Sequence, residues 1–181
     1  TYEQASIVQS ALSHTGEALR YLWEAFRAFE REGSPLHMVT AYIDIGMIYA
    51  TNLEQPANAR QYLVKALDIA RQGQAMVQVA YCLNNLGDTY LMEEDFHGAL
   101  PFLEEGASVA EESESVRSRF YIGTNLVEAW TCLGDFNAAT RARAALRALL
   151  EAKETPPMFA VYAGLGDIHC LWAVGGMAQV A

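Results

Sequence analysis

The fold that this sequence predicts is all-α: a stack of antiparallel helix hairpins. Three observations carry that expectation. Ala59, Ala99 and Ala139 recur at an interval of forty residues, each just inside a helical stretch that follows a short turn. A phrase recurs ahead of them: Tyr42-x2-Ile45-Gly46-x2-Tyr49 precedes Ala59, and Leu83-x2-Leu86-Gly87-x2-Tyr90 precedes Ala99. Tyr162-x2-Leu165-Gly166-x2-His169 precedes Ala178 in the same way. Finally, hydrophobic residues make up 52% of the 181, much of that share is alanine, and no stretch alternates as a half-buried strand would. A fixed period of this length means supersecondary units that bury their apolar faces only against neighbours.

Helix signals follow in order along the chain. The opening residues read as a first pair, 2–13 and 15–32, the least regular of the set, as suits a terminal repeat. Gly33-Ser34-Pro35 supplies a C-terminal glycine, a capping serine and a first-turn proline, ending one helix near Glu32 and starting the next at Pro35. The second pair spans 35–51 and 57–72, with Gly73 closing it. The third spans 75–92 and 96–112, the fourth 116–132 and 136–153, with Ser115 placed to cap helix 116–132. Asp95-Phe96 and Asp135-Phe136 stand directly before second helices, where the carboxylate can accept the first free N–H groups while the ring packs beneath the turn. Thr155-Pro156 starts a helix over 156–173, whose partner is cut short. The expected division is one array with repeats at 1–33, 34–73, 74–113, 114–154 and an incomplete 155–181. We read it as a piece of a longer protein.

Composition narrows the function classes. The formal net charge is −10, which opposes nucleic-acid binding, since that needs clustered lysine and arginine. The most apolar stretches, 38–50 and 158–174, contain Asp44 and Asp167, so neither reads as a membrane span of the ~20 residues required. Cys82, Cys132 and Cys170 are odd in number and far apart, with no Cys-x2-Cys pair, and read as small apolar residues inside helices in a reducing, cytoplasmic compartment. His14, His37, His97 and His169 form no ligand spacing, and Gly164-x-Gly166 follows no strand. No enzyme, metal site or cofactor is expected.

Leu86-Gly87-x2-Tyr90 with Ala99-x3-Leu103 resembles the tetratricopeptide repeat, in which a glycine of helix A and a small residue of helix B meet where the helices cross. The resemblance implies a right-handed superhelical solenoid. Repeat four departs from the pattern, with Val127 in the glycine slot and Leu146 where the others carry Ala66 and Gly106. The forty-residue period resembles the longer repeats of kinesin light chain and of bacterial LuxR-type multidomain regulators. HEAT repeats share such a period and are the second choice of fold.

In that family helix A lines the concave face. By resemblance the groove positions are Thr40, Ile43, Asp44 and Met47 in one repeat, then Tyr81, Asn84, Asn85 and Asp88. Next come Tyr121, Thr124, Asn125 and Glu128, and last Ala160, Ala163, Gly164 and Asp167. Asp88, Glu128 and Asp167 recur at forty and thirty-nine residues, and no lysine or arginine falls within 37–53, 79–93, 120–132 or 158–171. An acidic groove is therefore expected. Rungs ~10 Å apart in water repel by only ~0.4 kcal/mol, which a fold tolerates. Side-chain amides of Asn84, Asn85 and Asn125 can pair with any partner's backbone, or tie adjacent helices together.

The expected function is a non-catalytic module binding a protein or peptide, basic or extended, through Asp44, Tyr81, Asn84, Asn85, Asp88, Tyr121, Asn125, Glu128 and Asp167. The alternative is a sensory domain of a bacterial transcription regulator or cyclase, answering to a peptide or small effector. Leu171 and Trp172 at the truncated end also suit a homodimer through the terminal repeat.

Overall fold

The computed structural model describes the backbone of residues 2–152 and the side chains of residues 14–152. Within them the protein is helical throughout: α1 (Tyr2–Glu32), α2 (Pro35–Met47) continued by a π-helical turn (Ile48–Asn52), α3 (Pro56–Gln72), α4 (Met76–Leu91), α5 (Phe96–Glu112), α6 (Val116–Cys132) and α7 (Phe136–Glu151). Each helix packs on its sequence neighbour. In addition α4 touches α6 and α2, whereas no comparable contact joins α3 to α5 or α5 to α7 among the described residues. First helices of successive hairpins thus form a row, and second helices stand farther apart behind it.

Three of the four expected caps form; Ser34 does not cap α2, because its Oγ pairs with His37 Nδ1 at 2.6 Å instead of a backbone amide. Asp95 Oδ1 accepts from the Gly98 amide at 2.9 Å, Asp135 Oδ1 from the Ala138 amide at 2.9 Å, and Ser115 Oγ from the Ser118 amide at 3.3 Å. Phe96 packs against Leu91, Ala99 and Leu100 as expected, but Phe136 is 54% exposed. The ring of Phe96 also has the α6 side chains Leu126 and Trp130 in its cluster. The expected helix 156–173 and the terminal repeat lie outside the described residues.

One helix boundary differs from the expectation, whereas Gly73 closes α3 as expected. The break at residue 14 is absent, because α1 runs unbroken for 31 residues. Gly16 is the only weak point there, and one helical glycine costs about 1 kcal/mol relative to alanine, too little to end a helix that lacks a proline or a left-handed residue. Gly73 ends α3 with φ −82°, and the left-handed conformation falls instead on Gln74, at φ +51°. Glu54, Glu94, Glu114 and Gly134 adopt it at the other turns, so these positions recur every twenty residues.

An inserted residue explains the π-helical turn. Thirteen positions separate Gly46 from Ala59, but twelve separate Gly87 from Ala99. A π-turn takes up one extra residue without breaking the helix, and here the Leu53 amide reaches back to the Ile48 carbonyl at 3.1 Å. It also brings Tyr49 onto Tyr62, rings stacked at 5.1 Å, beside Tyr42 and Trp23.

The glycine slot works as the spacing implies. A Cβ on Gly46 would lie 3.0 Å from Leu63 Cγ, and one on Gly87 only 2.6 Å from Leu103 Cδ2. Both leucines are fully buried, so each inserts into the notch its glycine leaves. Repeat four solves the crossing differently. Val127 fills the glycine slot, and the position matching Leu63 and Leu103 holds Arg143, which is exposed. One turn along the hairpin Leu146 packs over Gly123 at ordinary van der Waals distance, 3.5 Å from the place a Cβ would occupy, so repeat four has no notch as tight as those at Gly46 and Gly87.

Candidate functional site

The row α2, α4, α6 carries the expected groove positions, and α4 shows their arrangement best. Tyr81, Asn84, Asn85 and Asp88 follow at helical spacings of three, one and three, which puts them on one strip of the surface. Tyr81, Asn84 and Asp88 are half-buried, and Asn85 is only 7% exposed. The Asn85 side chain thus belongs to the packing between helices, and its buried Nδ2 has no hydrogen-bond partner. On α6, Tyr121, Thr124 and Asn125 are half-buried and Glu128 is exposed; on α2, Thr40 and Asp44 are exposed. Asp167 lies outside the described residues.

Adjacent strips are tied together. Asn125 Nδ2 donates to Asn84 Oδ1 at 3.2 Å, so two of the three expected asparagines bridge α4 and α6. That bond uses one lone pair of Asn84 and one proton of Asn125. Asn84 keeps its amide protons and Asn125 its carbonyl for another molecule.

A second tie between α4 and α6 comes from a basic residue outside the stretches that lack lysine and arginine. The Arg117 guanidinium lies 5.4 Å from the ring centre of Tyr81 and 5.8 Å from that of Tyr121. Arg117 stands in the first turn of α6, three positions before the stretch expected to be free of lysine and arginine. Its spacing of four from Tyr121 was the available signal, since it puts both on one helix face. Burial pushes the Tyr81 phenol above its ordinary value, the Arg117 charge pulls it down, and Tyr121 and Asp44 add to the rise. Groups from α2 and α6 thus act on a phenol of α4.

The strip is therefore polarised. Arg117 marks the end near the helix N-termini, and Asp88 lies two turns farther along α4. Desolvation pushes the Asp88 carboxyl above its ordinary value, and it forms no hydrogen bond or ion pair among the described residues. Asp44 is shifted the same way by the same cause. A half-desolvated carboxylate without a cation gains when one arrives. Among the described residues no group of three or more His, Cys, Asp or Glu could hold a metal ion, and no helix is long and apolar enough to cross a membrane.

Comparison with known proteins agrees with this architecture. Residues 37–112 match a family model described as Tetratricopeptide repeat. The matched stretch runs from the first turn of α2 to the end of α5, and so contains both hairpins in which a leucine fills a glycine notch. No curated protein matches the chain.

Proposed function

We propose that this chain is a non-catalytic interaction module of the long-period tetratricopeptide type, akin to the repeats of kinesin light chain and LuxR-type regulators. In this reading the hairpins wind as a right-handed superhelix, the row α2, α4, α6 lines its concave side, and an extended peptide or protein segment lies along that row. The observation that carries it is the strip on α4 and α6. It joins amides with unspent hydrogen-bonding capacity at Asn84 and Asn125 to an uncompensated carboxylate at Asp88. A preformed strip of this kind demands little ordering from the domain when a partner binds. Acidic groups there raise the on-rate of a basic segment. A reducing, cytoplasmic setting fits Cys82, whose thiol is buried and pushed up to about 12, and which therefore acts as core rather than as a reactive group.

Replacing Asp88, Glu128 and Asp167 together by asparagine and titrating a basic peptide library tests the proposal. Weaker binding with a shallower salt dependence is expected. Binding unchanged in both strength and salt response would remove the acidic groove from the account.

A further inference from the structure

Arg117 is an unusual cation for its place. It occupies the first turn of α6, where the helix dipole disfavours positive charge. In a chain of net charge −10 it nevertheless has no carboxylate partner among the described residues. Its interactions are with the two tyrosine rings, 5.4 and 5.8 Å from their centres, which engage none of its five N–H donors. An arginine held beside two rings with its donors unspent presents a fork that fits a carboxylate bidentately. The Asp44 charge reaches the Tyr81 phenol of this site, so a singly charged carboxylate is accommodated at less repulsion than a dianionic phosphate.

We infer that the Arg117–Tyr81–Tyr121 cluster is the acidic-residue subsite of the peptide groove, and that the partner is an extended segment carrying an Asp or Glu on Arg117 and a Lys or Arg on Asp88. This rests on the peptide-binding reading above and adds direction and spacing to it. Tyr81 and Asp88 lie seven residues apart on α4, which places the two subsites ~10 Å apart along the helix. An extended chain advances ~3.1–3.4 Å per residue, so the acidic and basic residues of the partner stand three or four positions apart. Between them the segment passes the Asn84–Asn125 bridge, whose remaining amide groups meet its backbone.

The test selects a phage-displayed library of random dodecapeptides on the full chain, then measures synthetic versions of the enriched sequences by fluorescence anisotropy. Enrichment of an acidic residue three or four positions from a basic one is expected. Changing that acidic residue to Gln should raise Kd about tenfold on the native protein. The same change should move Kd less than about twofold on Arg117→Gln, where no charged partner remains. Arg117→Lys should recover only part of the discrimination, because an ammonium lacks the fork. Circular dichroism checks that Arg117→Gln stays helical, the outcome expected of an exposed side chain opposed to the helix dipole. Peptides that bind with no acidic preference, or that lose the same affinity on both proteins, overturn this subsite and leave the peptide-binding reading standing. Charged pairs enriched seven apart mean a helical occupant and overturn the extended geometry. A library that yields no binder overturns both.

Discussion

Replacing Gly87 and Gly123, in separate variants, by alanine isolates the steric part of hairpin packing. Both glycines lie inside first helices, so each variant gains about the same 1 kcal/mol of helix propensity. They differ in what the new methyl meets. At position 87 it would sit 2.6 Å from Leu103 Cδ2 and 2.7 Å from Leu103 Cγ, closer than any real contact allows. Leu103 is fully buried and its Cγ is no flexible tip, so the side chain or the helix must move. Overpacking of this kind costs about 1–3 kcal/mol. At position 123 the methyl would lie 3.5 Å from Leu146 Cδ1, an ordinary contact, and only the propensity gain remains. Gly123→Ala should therefore exceed Gly87→Ala in stability by about 1–3 kcal/mol. At about 2–4 °C per kcal/mol for a chain of this size, thermal melts should separate them by several degrees. Gly46→Ala, with its nearest atom at 3.0 Å, should fall between. Leu103→Ala alone removes the buried knob and costs about 2–5 kcal/mol, and combined with Gly87→Ala it should cost less than the two losses added. Melts of Gly87→Ala and Gly123→Ala that coincide, or a strictly additive double variant, would refute the notch as the basis of the crossing.

Two further outcomes follow from backbone and charge. Glu94 holds φ +58° at its turn and Gly134 holds φ +78° at the equivalent one, so opposite substitutions should act oppositely. Glu94→Gly should gain up to about 1 kcal/mol and Gly134→Ala should lose about as much or more, read by urea unfolding. Asp88 holds its proton more tightly folded than unfolded, because burial raises its pKa above 3.8. Native protein therefore binds more protons than unfolded chain between that value and the raised one, and stability falls as pH climbs through this window. Asp88→Asn should be more stable than the parent at pH 7, with the gap closing as pH drops below 3.8. A gap independent of pH would mean that the carboxylate's charge is not what costs stability.

Much of the hairpin pattern could be read from residue spacing, because steric rules tie spacing to packing. A forty-residue recurrence of alanine and a Leu-Gly pair report the crossing itself, and Asp95, Asp135 and Ser115 report caps through short-range geometry. Where the pattern broke, spacing alone was silent. Val127 and Leu146 read as two departures, and coordinates are needed to see that Leu146 packs over Gly123 while Arg143 stands exposed where Leu63 and Leu103 are buried. The insertion between Gly46 and Ala59 could be counted, but whether a loop or a π-turn absorbed it could not. Site residues were less legible still. Helical register put Tyr81, Asn84 and Asp88 on one strip, whereas the burial of Asn85 depends on how closely neighbouring helices approach. Arg117 lies in the first turn of α6, outside the stretches 37–53, 79–93, 120–132 and 158–171 that lack lysine and arginine, so their composition carries no trace of it.

The most direct measurement maps a bound peptide on the protein by amide and side-chain chemical shifts, using a dodecapeptide selected from the library. Perturbations should concentrate on Tyr81, Asn84, Asp88, Arg117, Tyr121 and Asn125, along the row of first helices. Shifts gathered instead on α3, α5 and α7, with that row unmoved, would contradict the assignment of the binding face.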